Sequence, residues 1–193
     1  EFMNDCLVFY KDDATVGAVT GFCPLQTMPS GCTEDVFLVF RNSSQGWGTW
    51  AHVWNEVDWS AAGMAKLTQA WSLRKAFNRE GNDRYDRLRR QLAGRIDSWS
   101  IRFGLALFLR GQGTIYPAVN RIANIGYDGS GIHSGTGTPK NERIAEANYR
   151  LQPVQVNPRI QAAFRRIYSG SIPGRVLRDA MACWPRLAGW LGR

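Results

Sequence analysis

The sequence lacks several features that would place a protein in a class at once. It has no Cys-x-x-Cys pair, and its four cysteines, Cys6, Cys23, Cys32 and Cys183, lie mostly among apolar neighbours. This pattern is unlike a disulfide framework and predicts reduced thiols in a cytosolic setting. No apolar run approaches the roughly 20 residues that a membrane-spanning helix needs. We therefore expect a soluble or peripheral protein.

Acidic residues are scarce relative to basic ones. The chain has 16 aspartates and glutamates against 24 lysines and arginines, which gives a formal net charge of +8. This charge favours an anionic partner, and nucleic acid, a phospholipid surface and a phosphorylated substrate all stay open. A phosphate-binding loop of known signature is lacking, because no Lys-Ser/Thr follows the glycine-rich segment 127–137. Glycine-rich loops nevertheless often hold ligands.

The length allows one domain. With 193 residues, 44% of them hydrophobic, the chain can bury one sizeable core but hardly two. It begins at a glutamate, so we expect it to have been cut from a longer protein. We predict a body at 1–150 and a basic, aromatic-containing helical arm at 151–193. The arm fits an anionic membrane surface, and a solvated helix that packs its tryptophans on the body is the alternative.

Hydrophobic periodicity predicts a mixture of helices and strands. The strand at 35–40 is expected to be central because it is apolar on both faces, and proline at 117 suits an edge strand or the beginning of a strand. The predicted helices lie at 2–10, 61–91 with a break at 81–82, 99–109, 160–168 and 176–190, and the predicted strands at 15–22, 35–40 and 114–126. The fold class predicted is α/β.

Arginines and tryptophans each concentrate in one part of the body. The basic residues at 74–90 could bind phosphates, although a solvated helix face is the favoured interpretation. Trp50 and Trp54 are four residues apart and could share the buried face of a helix. Trp47 lies between two glycines and is predicted to be an exposed platform on which a sugar or a base stacks.

A lone acid marks the segment Gly94–Arg102. Asp97 stands in a largely apolar run with Arg102 five residues later. If Asp97 opens a helix, its carboxylate accepts hydrogen bonds from first-turn N–H groups, and Arg102 emerges roughly on the same side. Helix capping is one interpretation. A carboxylate that is held ionised and aimed into a cleft, as a general base must be, is the other.

Several short motifs occur in a suggestive order. They are Gln45-Gly46-Trp47-Gly48-Thr49-Trp50, Val57-Asp58-Trp59, Asp97-Ser98-Trp99 to Arg102, Ile115-Tyr116-Pro117 and the run from Asn124 to His133. Together they resemble the C-terminal part of bacterial GT-A glycosyltransferases of the family 2 type, which build cell-surface polysaccharides. The resemblance covers most of positions 1–135. It implies an incomplete, Rossmann-like GT-A domain with added C-terminal helices.

The resemblance also implies partners and a cofactor. In that family a nucleotide-sugar donor lies on an N-terminal half, where an Asp-x-Asp motif holds a divalent metal, Mn²⁺ or Mg²⁺. Residues 1–22 look like the helix and strand that follow this motif, so we expect the acceptor half of a truncated enzyme, inactive alone and prone to associate. The acceptor is expected to be a saccharide or a lipid-linked molecule. The protein is expected in the cytoplasm, where it could lie peripherally on the inner face of the plasma membrane.

The family usually places its catalytic base in a Glu-Asp-x-x-x-x-Arg motif. Asp97 and Arg102 keep the spacing from aspartate to arginine, while Ile96 stands where the glutamate would be. The resemblance therefore implies that Asp97 deprotonates the acceptor hydroxyl in an inverting transfer. His133 resembles a histidine that completes the metal site from a late loop.

The resemblance assigns acceptor contacts to Trp47, Trp50, Trp99 and Asp128. A nucleic-acid-binding module is the alternative from another class, because stacking tryptophans in a cationic groove bind single strands. Against it, the arginines and the aromatics concentrate in different parts of the chain, and no nucleic-acid partner is expected.

Overall fold

The computed structural model describes residues 1–123, 144 and 148–169, which form a mixed α/β fold, as predicted. The elements in chain order are α1 (Phe2–Phe9), β1 (Val16–Thr20), β2 (Val36–Val39), β3 (Trp47–Gly48), α2 (Ala51–Asn55), α3 (Met64–Gln69), α4 (Trp71–Phe77), α5 (Arg84–Leu92), α6 (Trp99–Leu109), β4 (Gly113–Pro117) and α7 (Pro158–Tyr168). No helix in these residues is long and apolar enough to cross a membrane.

The four strands form one sheet in the order β2-β4-β1-β3. Strand β4 is parallel to β1 and antiparallel to β2, and β3 is antiparallel to β1. Two predictions about strand position are therefore wrong, because β2 lies at an edge and β4 lies in the centre. Pro117 is the last residue of β4 rather than its start, so its missing N–H interrupts no ladder within the strand.

Strand β2 is apolar on both faces because both faces are covered, although it lies at an edge. Val36 and Leu38 pack in a core with α1, while Phe37 and Val39 pack in a second core with α7. Its outer edge is partly closed by a parallel bridge between Leu38 and Val156. Two-sided burial thus produces the same sequence signature as a central position.

Helix α6 packs against β1 on the face opposite α1. Its Phe103 and Leu107 share a core with Ala18. A Cβ atom on Gly17 would lie only 2.4 Å from Cδ2 of Leu107, so glycine allows this close approach. The predicted helix at 99–109 is confirmed, and Gly111 follows it with a φ of +69°, which suits the end of a helix.

The predicted helical region at 61–91 contains three helices rather than two. The additional break is at Ala70, whose backbone is extended, with a ψ of 107°. Two arginines predicted on a solvated face are buried, since Arg74 is 4% exposed and Arg84 is 1% exposed. Arg74 donates to the carbonyl of Leu67 at 2.9 Å, and Arg84 donates to the carbonyl of Phe77 at 2.8 Å. Both guanidinium groups satisfy carbonyls that helix ends leave without partners.

Residues 151–169, the first part of the predicted arm, pack on the body. The Tyr10 hydroxyl donates to the carbonyl of Gln152 at 2.7 Å, and α7 buries Ile160 and Phe164. The predicted helix at 176–190 lies outside the described residues. Cys6, Cys23 and Cys32 are free and buried, as expected for reduced thiols, and burial raises the pKa of the Cys6 thiol to about 12.

Candidate functional site

A cluster of aromatic rings joins two distant parts of the chain. This tryptophan cluster consists of Trp47, Trp54, Trp59, Trp99 and Phe103. The ring centres of Trp47 and Trp99 are 5.0 Å apart, and those of Trp54 and Trp59 are 4.6 Å apart. Because Trp99 and Phe103 are four residues apart in α6, they form one face, and β3 places Trp47 against it. The cluster therefore brings the segment around Trp47 to the first turns of α6.

The prediction that Trp47 is an exposed platform is wrong. Its side chain is half-buried because it packs within the cluster, while Trp54 is the more exposed ring, at 37%. The prediction that Trp50 and Trp54 share a buried face is also wrong. Trp50 precedes α2 as its N-cap, and its indole N–H donates to the carbonyl of Leu7 at 3.1 Å. Trp50 thus anchors α2 to α1.

Trp50→Phe is expected to lower the free energy of unfolding by about 1 kcal/mol, because the carbonyl of Leu7 loses its donor. Saccharide binding should be unchanged. Urea unfolding and saccharide titration measure the two effects, and Trp54→Phe is the matched control for stability alone, since Trp54 is 37% exposed. Unchanged stability together with weakened saccharide binding would instead support the predicted role of Trp50 as an acceptor contact.

Asp97 lies at the start of α6 but does not cap it. The N-cap residue is Ser98, and no side chain caps the helix. Asp97 is exposed, and it forms no hydrogen bond or ion pair with any residue that the structure describes. Arg102 is not its partner, because its Nη1 donates to the carbonyl of Trp59 at 2.9 Å and its guanidinium lies 5.9 Å from the centre of the Trp59 ring. The carboxylate is therefore open to solvent.

A cleft of about 190 Å³ lies beside the first turn of α6. Two hydrogen bonds hold the segment that forms one wall: Asn42 Nδ2 donates to the carbonyl of Ser100 at 3.0 Å, and Thr20 Oγ1 donates to the carbonyl of Gln45 at 2.8 Å. The polar residues that line the cleft include Arg41, Ser43, Ser44, Arg84, Arg87, Ser100 and Tyr168. The cleft is thus lined by residues from a loop after β2, from helices α5 and α6, and from the end of α7.

Three guanidinium groups give the cleft its charge. Arg41 forms two hydrogen bonds of 2.8 Å with Asp83, and its guanidinium lies 3.6 Å from the centre of the Tyr168 ring. Arg87 donates to Ser98 Oγ at 3.2 Å and lies 3.9 Å from the Asp83 carboxylate. Burial alone would raise the pKa of Asp83, but the hydrogen bonds and charge of Arg41 hold it below its ordinary value.

Arg84 is the third guanidinium, and it bonds to backbone rather than to an acid. Its Nη1 and Nη2 donate to the carbonyls of Phe77 and Gly104. Burial lowers the pKa of Arg84 to about 10, partly offset by Glu80, so the side chain is still cationic at neutral pH. Glu80 itself accepts from Gln161 at 2.9 Å. Sequence reasoning missed this site, since nothing in the pattern of α4 and α5 distinguishes an interior arginine from a solvated one.

Two of the predicted site residues, Asp128 and His133, lie outside the described residues. Within residues 1–123, 144 and 148–169, no group of three or more His, Cys, Asp or Glu side chains could hold a metal ion.

No protein-family model, curated protein or solved structure matches the chain.

Proposed function

We propose that this chain is the acceptor-side part of an inverting glycosyltransferase with a GT-A fold. The observation that carries the proposal is the 5.0 Å contact between Trp47 and Trp99. It joins Gly46-Trp47-Gly48 to Asp97-Ser98-Trp99, and both segments belong to the pattern that resembles the family. A resemblance made of scattered short motifs gains weight when two of them form one surface.

Asp97 is the general base in this proposal, although its carboxylate is exposed and does not line the cleft. Its carboxylate has no partner within the described residues, so it is free to accept the proton of an acceptor hydroxyl. As that proton leaves, the hydroxyl oxygen attacks the anomeric carbon of the donor. The bond from this carbon to the diphosphate oxygen breaks, and the electron pair leaves with the nucleotide diphosphate. Attack opposite the leaving group inverts the configuration.

The tryptophan cluster supplies a surface for the acceptor. Trp54 offers the most exposed ring, and Trp47 and Trp99 lie behind it, at 5.8 and 5.9 Å between ring centres. Aromatic rings pack well on the apolar face of a sugar. Arg102 acts as a positioning residue, because it holds Trp59 by both a hydrogen bond and its position over the ring. The acceptor in this proposal is a saccharide or a lipid-linked saccharide.

The remaining parts of the proposal lie mostly outside the described residues, and the described part of the arm, residues 151–169, packs on the body. A nucleotide-sugar donor would be bound with a divalent metal, Mn²⁺ or Mg²⁺, to which His133 would contribute. The imidazole of histidine is a ligand that such metals accept. The basic arm at 151–193 would hold the protein on the anionic inner face of the membrane.

The nucleic-acid alternative gains less from the structure. It needs exposed tryptophans beside exposed arginines. In the part of the chain that is described, Trp47 is half-buried, and Arg74 and Arg84 are buried. The surface near the cluster suits a sugar better than a strand of nucleic acid.

Asp97→Asn is expected to reduce sugar transfer by about 100-fold or more, because an amide cannot accept the hydroxyl proton. The complete protein that contains this chain would be assayed for nucleoside diphosphate release from a panel of nucleotide sugars with saccharide acceptors. Asp12→Asn is the matched control, since Asp12 is 89% exposed and lies in a turn after α1. Near-normal turnover in Asp97→Asn would rule out this base.

A further inference from the structure

We infer that the cleft lined by Arg41, Arg84 and Arg87 binds a phosphoryl group of a substrate. The inference deepens the proposed function and rests on it for the reaction in which that substrate takes part. The cleft itself stands on separate observations. It lies beside Ser98 and Ser100, at the start of the helix that carries Trp99 and follows Asp97.

The first argument is charge. Arg41 and Arg84 are 6% and 1% exposed, so two guanidinium groups are almost fully desolvated at the cleft. Asp83 and Glu80, the acids that interact with them, do not line it. The residues that line the cleft therefore include three cations and no carboxylate, although Asp83 lies within 3.9 Å of both Arg41 and Arg87. Asp83 already pairs with Arg41, whereas the guanidinium of Arg84 bonds only to carbonyl oxygens. Because a buried charge is expensive without an opposite charge, Arg84, together with the more exposed Arg87, is what favours a bound anion here.

The second argument is the set of donors. Guanidinium groups present planar pairs of N–H donors that match the oxygens of phosphate and carboxylate. Arg41 uses one such pair on Asp83, so the partly exposed Arg87 is the guanidinium that a ligand reaches. Three serine side chains, Ser43, Ser44 and Ser100, add hydroxyl donors to the same lining. Ser43 Oγ accepts from the backbone N–H of Gln45 at 3.1 Å, which leaves its own proton to donate. Donors that approach from several walls suit a tetrahedral phosphoryl group better than a planar carboxylate.

The volume of the cleft and its access from solvent also fit a phosphoryl ligand. A volume of about 190 Å³ accommodates a phosphoryl group and part of the molecule that carries it. Arg87 has a side chain that is 39% exposed, so it lies where a ligand enters from solvent. Under the proposed function the phosphoryl group has two sources, the diphosphate of the nucleotide donor and a phosphorylated acceptor.

Titration calorimetry of the complete protein with inorganic pyrophosphate tests the cleft. Arg87→Gln is expected to weaken binding about 10-fold or more, which is the loss expected for one hydrogen bond to a charged group. Arg90→Gln is the matched control, because Arg90 is exposed on the same helix and does not line the cleft. Both variants should unfold at nearly the wild-type temperature. Absent pyrophosphate binding, or equal weakening in both variants, would overturn the inference.

Two further titrations identify the source of the phosphoryl group. If Arg87→Gln weakens binding of uridine diphosphate, the cleft serves the donor, and if it weakens binding of glucose 1-phosphate, the cleft serves the acceptor. Either result supports the proposal that the cleft binds a phosphoryl group. Unchanged affinity for both ligands contradicts it. Pyrophosphate binding does not require Asp97. Pyrophosphate binding through Arg87 without sugar transfer would support the phosphoryl site and contradict the proposed function. Sugar transfer without pyrophosphate binding through Arg87 would support the proposed function and contradict the phosphoryl site.

Discussion

Phe164→Ala is expected to lower the free energy of unfolding by about 4 kcal/mol, as removal of a large buried aromatic side chain typically does. Phe164 is fully buried and joins α7 to the sheet. Its ring meets those of Tyr116 and Phe37 edge to face, with centres 5.1 and 5.8 Å away. The substitution removes both contacts and leaves a cavity under α7.

Urea unfolding of the purified variant measures this loss. Ile167→Ala is the matched control on the same helix, since Ile167 is 46% exposed, and it should change stability by less than about 1 kcal/mol. A second readout is pyrophosphate affinity. Tyr168 lies at the end of α7 and packs on Arg41. Looser packing of α7 should therefore displace Arg41 and lower the affinity of the cleft for pyrophosphate. Equal stability of the two variants would show that α7 does not stabilise the sheet.

Asp83→Asn is expected to cost about 3 kcal/mol, near the lower end of the range for breaking a buried ion pair. The Arg41 side chain is only 7% exposed and would be left with its charge uncompensated, whereas Asp83 is 24% exposed and is partly screened by water. Asp86→Asn on the same helix is the control. Asp86 pairs with Arg89 at 3.6 Å between neighbouring turns, and such a pair contributes less than about 1 kcal/mol.

The effect of Asp83→Asn should depend on pH. Since the pKa of Asp83 is lower in the folded protein than in the unfolded chain, the carboxylate stabilises the fold fully above the unfolded pKa of about 3.9. That stabilisation is lost as the pH falls through the lower, folded pKa. The difference between wild type and variant should therefore be constant at neutral pH and shrink below about pH 4. A difference that does not change down to pH 2 would show that the charge of Asp83 contributes nothing.

Local patterns in the sequence predicted most of the elements, although not β3 or the break between α3 and α4, and they did not predict the arrangement of the elements. Helix α6 and strands β1 and β2 follow from periodicity and flanking turn residues, which are local signals. Strand order depends on which distant segments cover a face, and β2 was misplaced because α1 and α7 bury its two sides. The missed break at Ala70 has no glycine or proline to mark it.

The site was predicted only in part for a similar reason. The segments around Trp47 and Asp97 were identified, yet their contact through Trp99 depends on β3 lying against α6. The arginines of the cleft could not be distinguished by residue type, because a guanidinium is usually solvated. Arg84 is an exception because the carbonyls of Phe77 and Gly104 accept its N–H groups inside the protein. Such acceptors are visible only once helix ends are placed in space.

The sheet order also constrains the time course of folding. β4 lies between β1 and β2, so these two early strands are not neighbours and cannot pair with each other in the native sheet. During synthesis, β1 has only the two-residue β3 as a native neighbour until β4 leaves the ribosome. The central insertion of a late strand requires long-range contacts, which slow folding and leave apolar strands uncovered in the meantime. Two of the three ladders between these strands, β1 with β4 and β2 with β4, therefore form only after the segment Gly113–Pro117 has been synthesised.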